Sequence, residues 1–276
     1  MSTSAIAIRP TPNHTTALGL LLGWVVFTAA WLTLIASVPS LQTGGLSSIV
    51  VRFFIQGTIL IGLWLALARS GFDARTRVLV WAALAVPYIV WQATVWTLAV
   101  RGAFVFAPGI PAIPLAVFLP LILFIWPLMR SKRVGALLDA MPPQWLIALQ
   151  AYRVFGGVFL LAWARGTLSG TFALPAGFGD ILVGLLALPI AYYVYAGARN
   201  ARTLAIGWNI LGVLDLVNAV GIGILSAPGP LQLIIPDVPN ALVGTYPTVM
   251  IPAFAVPSSI IFHALSLRQI ARMRHA

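Results

Sequence analysis

Cysteine and glutamate are absent from the 276 residues, and lysine occurs once. Without cysteine there are no disulfides, thiolate metal sites or Fe–S clusters. Acid, base and metal work would fall to five aspartates and three histidines. No H-E-x-x-H sequence occurs, no two histidines share an apolar run, and no carboxylates cluster at helical spacing, so no metal ligands are expected. His14 and His275 stand near the chain ends, which leaves bis-histidine haem ligation without support. The stretch from Gly177 to Gly184 has Leu182 where a dinucleotide-binding loop needs its third glycine, and no strand precedes it. There is no Walker A lysine and no G-x-S-x-G elbow. No cofactor is expected, and an enzyme would have few parts to work with.

Charge is the next scarcity. Charged residues make up 8% of the chain and hydrophobic ones 61%, whereas a soluble domain carries about a quarter charged residues to face water. The apolar residues come in long runs, and about 20 residues at 1.5 Å rise match a hydrocarbon core of about 30 Å. The fold class expected is therefore all-α, a polytopic transmembrane bundle surrounded by a lipid bilayer in the cell (plasma or inner) membrane.

The runs predict eight spans, at 16–38, 46–69, 77–100, 112–130, 144–165, 177–197, 202–226 and 247–270. Residues 1–15 and 271–276 read as short cytoplasmic tails flanking one membrane domain over 16–270. The first run is too long for the apolar core of a cleaved signal peptide. The fourth span carries Pro114, Pro120 and Pro127, with Pro108 and Pro111 before it, and a broken or re-entrant segment is its alternative. The segment 227–246, rich in proline yet apolar at Leu231, Leu233, Ile234 and Ile235, reads as a cap or an interfacial segment.

The net charge of +11 would in a soluble chain raise nucleic-acid binding. Here the basic residues are scattered at span ends and read as topology signals, so no nucleic-acid partner is expected. With the N-terminus inside, twelve of the sixteen Lys and Arg residues fall on the inner side: Arg9, Arg69, Arg75, Arg77, Arg130, Lys132, Arg133, Arg199, Arg202, Arg268, Arg272 and Arg274. Arg52, Arg101 and Arg165 fall outside. The bias predicts an N-in, C-in arrangement. Gly19 and Gly23 form a small-xxx-small pair, and Gly156, Gly157, Gly184, Gly207 and Gly212 are expected to let helix backbones approach.

Charges at bilayer depth cost several kcal/mol unless paired or hydrated, so each needs a partner or a purpose. Arg153 and Asp215 are both expected about 14–20 Å from the inner boundary, in the fifth and seventh spans. They read as partners, as a structural ion pair or as a ligand or proton site. Asn218 follows Asp215 by three residues and shares its face, with Gln56 and Gln92 of the second and third spans at similar depth. Asn209 points away from Asn218 and is expected to bond a neighbouring helix separately. Asp180 reads as the first-turn residue of the sixth span, in an outer layer with Arg52 and Arg165. His263 is expected in an interhelical hydrogen bond or as a proton relay.

These residues predict a small-solute or proton-coupled transporter with its site near the midplane. The alternative is a non-transporting scaffold or subunit of a larger membrane complex, with membrane-protein partners unspecified. A third reading is an embedded enzyme acting on lipid at the outer layer.

Overall fold

The computed structural model describes residues 11–38, 46–105, 111–228 and 231–273. The tails with Arg9, Arg274 and His275, together with Pro108, Pro230 and the segment 39–45, lie outside the described residues. Among those described there is no strand. The helices are α1 His14–Ser37, α2 Leu46–Arg69, α3 Ala74–Val100, α4 Ala112–Arg130, α5 Lys132–Ala140, α6 Gln144–Leu149, α7 Val158–Ala164, α8 Gly170–Ala196, α9 Ala201–Ser226 and α10 Val256–Arg272. A 3₁₀ stretch, Gln150–Gly157, joins α6 to α7, and a π-turn, Ile251–Ala255, leads into α10.

Among the described residues eight helical stretches are long and apolar enough to cross a membrane, the fifth formed by α6, the 3₁₀ stretch and α7 together. The fourth is unbroken, with Pro120 and Pro127 inside α4. The sixth begins seven residues before the expected boundary. Ser169 caps α8 by accepting from the Thr171 amide at 3.3 Å, and Gly197, in the left-handed region at φ 69°, ends it. α10 runs to Arg272, two residues past its expected end.

The helix ends fall on two faces. On one, His14 bonds Tyr193 at 2.8 Å, Arg69 lies 4.9 Å from the Trp145 ring, and α5 links α4 to α6. We call this the connector face. Gln269 Nε2 donates to the Leu138 and Met141 carbonyls, both at 2.6 Å, which binds α10 to α5. Arg272 also donates to Asp139, and those bonds hold the Asp139 carboxyl below its ordinary range. On the opposite loop face, Arg165 donates to the Ala36 carbonyl at 3.0 Å and Ser169 to Asp237 at 2.5 Å.

The segment expected as a cap divides in two. Leu233 and Ile235 are 80% and 89% exposed, while the 3₁₀ turn Asn240–Gly244 buries Asn240 and Val243 in the bundle. Large apolar side chains also face outward along the spans, among them Phe54, Ile122 and Trp126. An apolar exterior of this extent is consistent with lipid contact.

α8 is the axis of the bundle, packed by α6, the 3₁₀ stretch, α7, α9 and α1, while α10 packs on α4 and α9. Small residues allow this. A Cβ at Gly184 would stand 2.6 Å from the Val154 amide nitrogen and 3.2 Å from the Ala151 carbonyl. Backbone therefore meets backbone there. Around Gly19, Gly23 and Gly207 nothing lies within 4 Å, so the packing role expected of these three is not what the fold uses.

Gly184→Ala should lower the unfolding temperature in detergent, by an amount equivalent to roughly 1–3 kcal/mol of overpacking. Gly207→Ala should leave it unchanged or raise it, because alanine favours helix and space is free. Equal midpoints for the two variants would contradict the packing described.

Candidate functional site

The long 3₁₀ stretch determines what the fifth span presents. At three residues per turn, positions i and i+3 lie in line, so Gln150, Arg153 and Gly156 form one inward ridge. All three are buried. Gln150 donates to the Ser259 carbonyl at 3.1 Å and accepts from the Ser259 hydroxyl at 3.1 Å, anchoring the ridge to α10.

Arg153, 2% exposed, reaches two carboxylates. Its Nε and Nη2 lie 2.8 Å and 2.7 Å from Asp180 Oδ1, and Nη2 also donates to Asp215 Oδ2. Nη1 donates to the Gly212 carbonyl at 3.2 Å and faces His263 Nε2 at 3.5 Å. All five guanidinium N–H groups thus have an acceptor in reach. Asp180 is ten residues, about 15 Å, from the loop-face end of α8, and Asp215 fourteen residues, about 21 Å, from the connector-face end of α9. The cluster lies midway through the bundle.

Each carboxylate keeps one oxygen that accepts no bond among the described residues, and each such oxygen rests over a glycine. A Cβ at Gly156 would fall on Asp180 Oδ2, and one at Gly179 on Asp215 Oδ1. Gly212 leaves the room that His263 occupies. These glycines make the cluster possible, because any larger residue would push a charged group off its partner.

His263 is completely buried and belongs to a second chain of bonds. The Asn209 amide nitrogen donates to the Ala205 carbonyl at 2.8 Å and to the Ser266 hydroxyl at 3.1 Å, so its oxygen faces His263 Nδ1 at 2.9 Å. That arrangement assigns the proton to Nδ1 and leaves the Nε2 lone pair toward Arg153. Asn209, expected in a separate bond, is therefore joined to the cluster through His263.

Asn218 is exposed on the far side of α9 and takes no part, because the inward face of α9 runs through Ala205, Trp208, Asn209, Gly212 and Leu216. Gln56 and Gln92 lie on α2 and α3, which pack on each other, on α5 and on the π-turn, and neither bonds the cluster. The outer layer does not assemble. Asp180 is mid-helix with Arg153, Arg165 is at the Ala36 carbonyl, and Arg52 lies 5.7 Å and 5.8 Å from the Trp96 and Tyr246 rings while donating to the Pro247 carbonyl at 2.9 Å. Gly156, Gly179 and Asn209 had no signal of their own as parts of a site.

Two cavities meet Asp180. One, of about 270 Å³, extends from it toward the loop face between α4, α7, α8, α9 and the π-turn. The other, of about 130 Å³, lies toward α1 and α2 and is lined by Arg153, Arg52 and Tyr152 as well. A third, of about 610 Å³, is apolar and separate, bounded by α2, α3, α5 and α10. Among the described residues no group of three or more His, Cys, Asp or Glu gathers as metal ligands would. The arrangement is suited to holding a proton or a cation on carboxylates that one guanidinium only partly neutralises.

Residues 110–271 match the family model described as "Domain of unknown function (DUF8737)". No curated protein and no solved structure matches the chain. The matched region contains Arg153, Asp180, Asp215, Asn209 and His263 and covers more than half of the 276 residues. The chain belongs to this family of domains of unknown function.

Proposed function

We propose that the protein is a transporter that moves a small solute or a proton through the Arg153, Asp180 and Asp215 cluster. One observation carries this reading: two carboxylates share one guanidinium at bilayer depth. A structural ion pair needs one of each. With both aspartates ionised, the cluster has an unmatched negative charge in a medium where uncompensated charge is very costly. Binding a proton or a cation removes that cost, and releasing it restores the cost, so the cluster favours reversible loading. Arg52 faces the smaller cavity but is held against aromatic rings, so it bonds neither carboxylate.

Loading one carboxylate weakens its hold on Arg153 and leaves the other as the sole counter-ion. Exchange between Asp180 and Asp215 then requires only that the guanidinium shift its bonds. His263 steadies Arg153 in this reading, since its Nε2 accepts from the guanidinium side and its proton is committed to Asn209. The scaffold reading accounts for the bonds of Arg153 and leaves the second negative charge uncompensated. The basic residues further support placing the connector face in the cytoplasm of a cell membrane.

In liposomes, a pH gradient should drive flux through the wild type, Asp215→Asn should abolish it, and Asp215→Glu should retain part of it. Identical flux from wild type, Asp215→Asn and empty vesicles would refute transport. Arg153→Gln should destabilise the fold by about 3–5 kcal/mol, because two carboxylates are stranded together. Adding Asp180→Asn and Asp215→Asn to it should recover most of that loss but none of the flux. Recovery of flux as well would show the charges to be structural only. Orientation is open to cysteine labelling with no native background. A membrane-impermeant maleimide on intact cells should label Asp237→Cys and spare Lys132→Cys, and the reverse pattern would overturn N-in, C-in.

A further inference from the structure

The loop-face cavity has a chemistry of its own. Its walls are apolar: Phe159 and Phe172 pack edge to face at 5.2 Å between centroids, and Val117, Leu216 and Val220 complete the lining. Asp180 stands at its inner end, whereas Arg153 is not part of its wall. A second polar group is Asn240, 2% exposed.

The bonds of Asn240 settle which of its atoms is free. The Ser226 hydroxyl spends its proton on the Ile222 carbonyl at 2.6 Å, so it must accept from Asn240 Nδ2, also at 2.6 Å. The amide oxygen of Asn240 is left buried without a partner. An unmet buried acceptor of this kind costs free energy until a donor arrives. The cavity thus combines an apolar, aromatic wall with two acceptor side chains, one of them charged, and no side-chain donor left over.

We infer that this cavity binds an amphipathic amine, its ammonium donating to Asp180 and its apolar body lying against Phe159 and Phe172. An ammonium supplies the positive charge that the cluster lacks and N–H donors for Asp180, while the Asn240 oxygen, beside Ser226 at the loop-face end, is left for a donor at the far end of a ligand. Aromatic walls favour a cation over an anion of the same size. The volume, about 270 Å³, is just below the roughly 300–1,000 Å³ of clefts that hold drug-sized ligands, so the ligand is small. A carboxylate is excluded by charge, and a neutral alcohol leaves the charge imbalance in place. The inference deepens the transport reading by naming its substrate class, because Asp180 belongs to both.

The full-length protein in nanodiscs, titrated with 2-phenylethylamine, 2-phenylethanol and 3-phenylpropanoate against empty nanodiscs, provides the test. The amine should bind at least about tenfold more tightly than the alcohol, as a charged hydrogen bond predicts, and the propanoate should not bind. Asp180→Asn, which leaves Arg153 its Asp215 partner, should weaken the amine by at least about tenfold and leave the alcohol's affinity as it was. Equal affinity for amine and alcohol, or no amine binding, overturns the inference even if proton flux through Asp215 is intact. Amine binding that depends on Asp180 upholds it even if no flux is found, which separates its failure from that of transport.

Discussion

A guanidinium in the middle of an apolar bundle has to be satisfied at every N–H, and the rest of this structure is arranged around meeting that demand. Arg153 takes two carboxylates, a backbone carbonyl and a histidine nitrogen as its partners. Water cannot make up a shortfall in hydrocarbon, so those partners must be brought close by the packing of helices. Four spans contribute: the fifth, α8, α9 and α10. Stability and function meet at this residue, because the same bonds that pull four helices together leave one carboxylate without a cation of its own.

Close approach has a structural cost that small residues and tight winding remove. The 3₁₀ geometry of Gln150–Gly157 aligns Gln150, Arg153 and Gly156 inward. Gly184 lets α8 meet that stretch backbone to backbone, while Gly156, Gly179 and Gly212 give up side-chain volume to Asp180, Asp215 and His263. Gly156 also lines the smaller cavity beside the cluster, whereas the loop-face cavity is bounded by other small residues, Ala176, Ala219 and Gly223.

Depth was legible in the sequence and direction was not. Hydropathy over about 20 residues located eight spans, and a rise of 1.5 Å per residue put Arg153 and Asp215 in one layer. Which face of α9 turns inward could not be read, since the helix is apolar nearly all round and lacks an amphipathic stripe. Asn218 was therefore expected in the layer and Asn209 outside it, the reverse of the arrangement found. Asp180 was misplaced because Gly170, Thr171, Pro175 and Gly177 resemble a loop. Ser169 as a cap followed by Gly170 is the start signal that mattered. The 3₁₀ winding of the fifth span, on which the inward ridge depends, has no marker in the sequence beyond the pair Gly156 and Gly157.

One buried carboxylate is not matched by the guanidinium beside it, and reversible loading of the cluster depends on that imbalance. Infrared spectroscopy of the reconstituted protein, in buffer free of small cations, observes that group directly. A protonated-carboxyl band that disappears on raising the pH, and that is missing from a variant carrying both Asp180→Asn and Asp215→Asn, is the result expected. A wild-type spectrum without that band at any pH at which the fold survives would contradict the account.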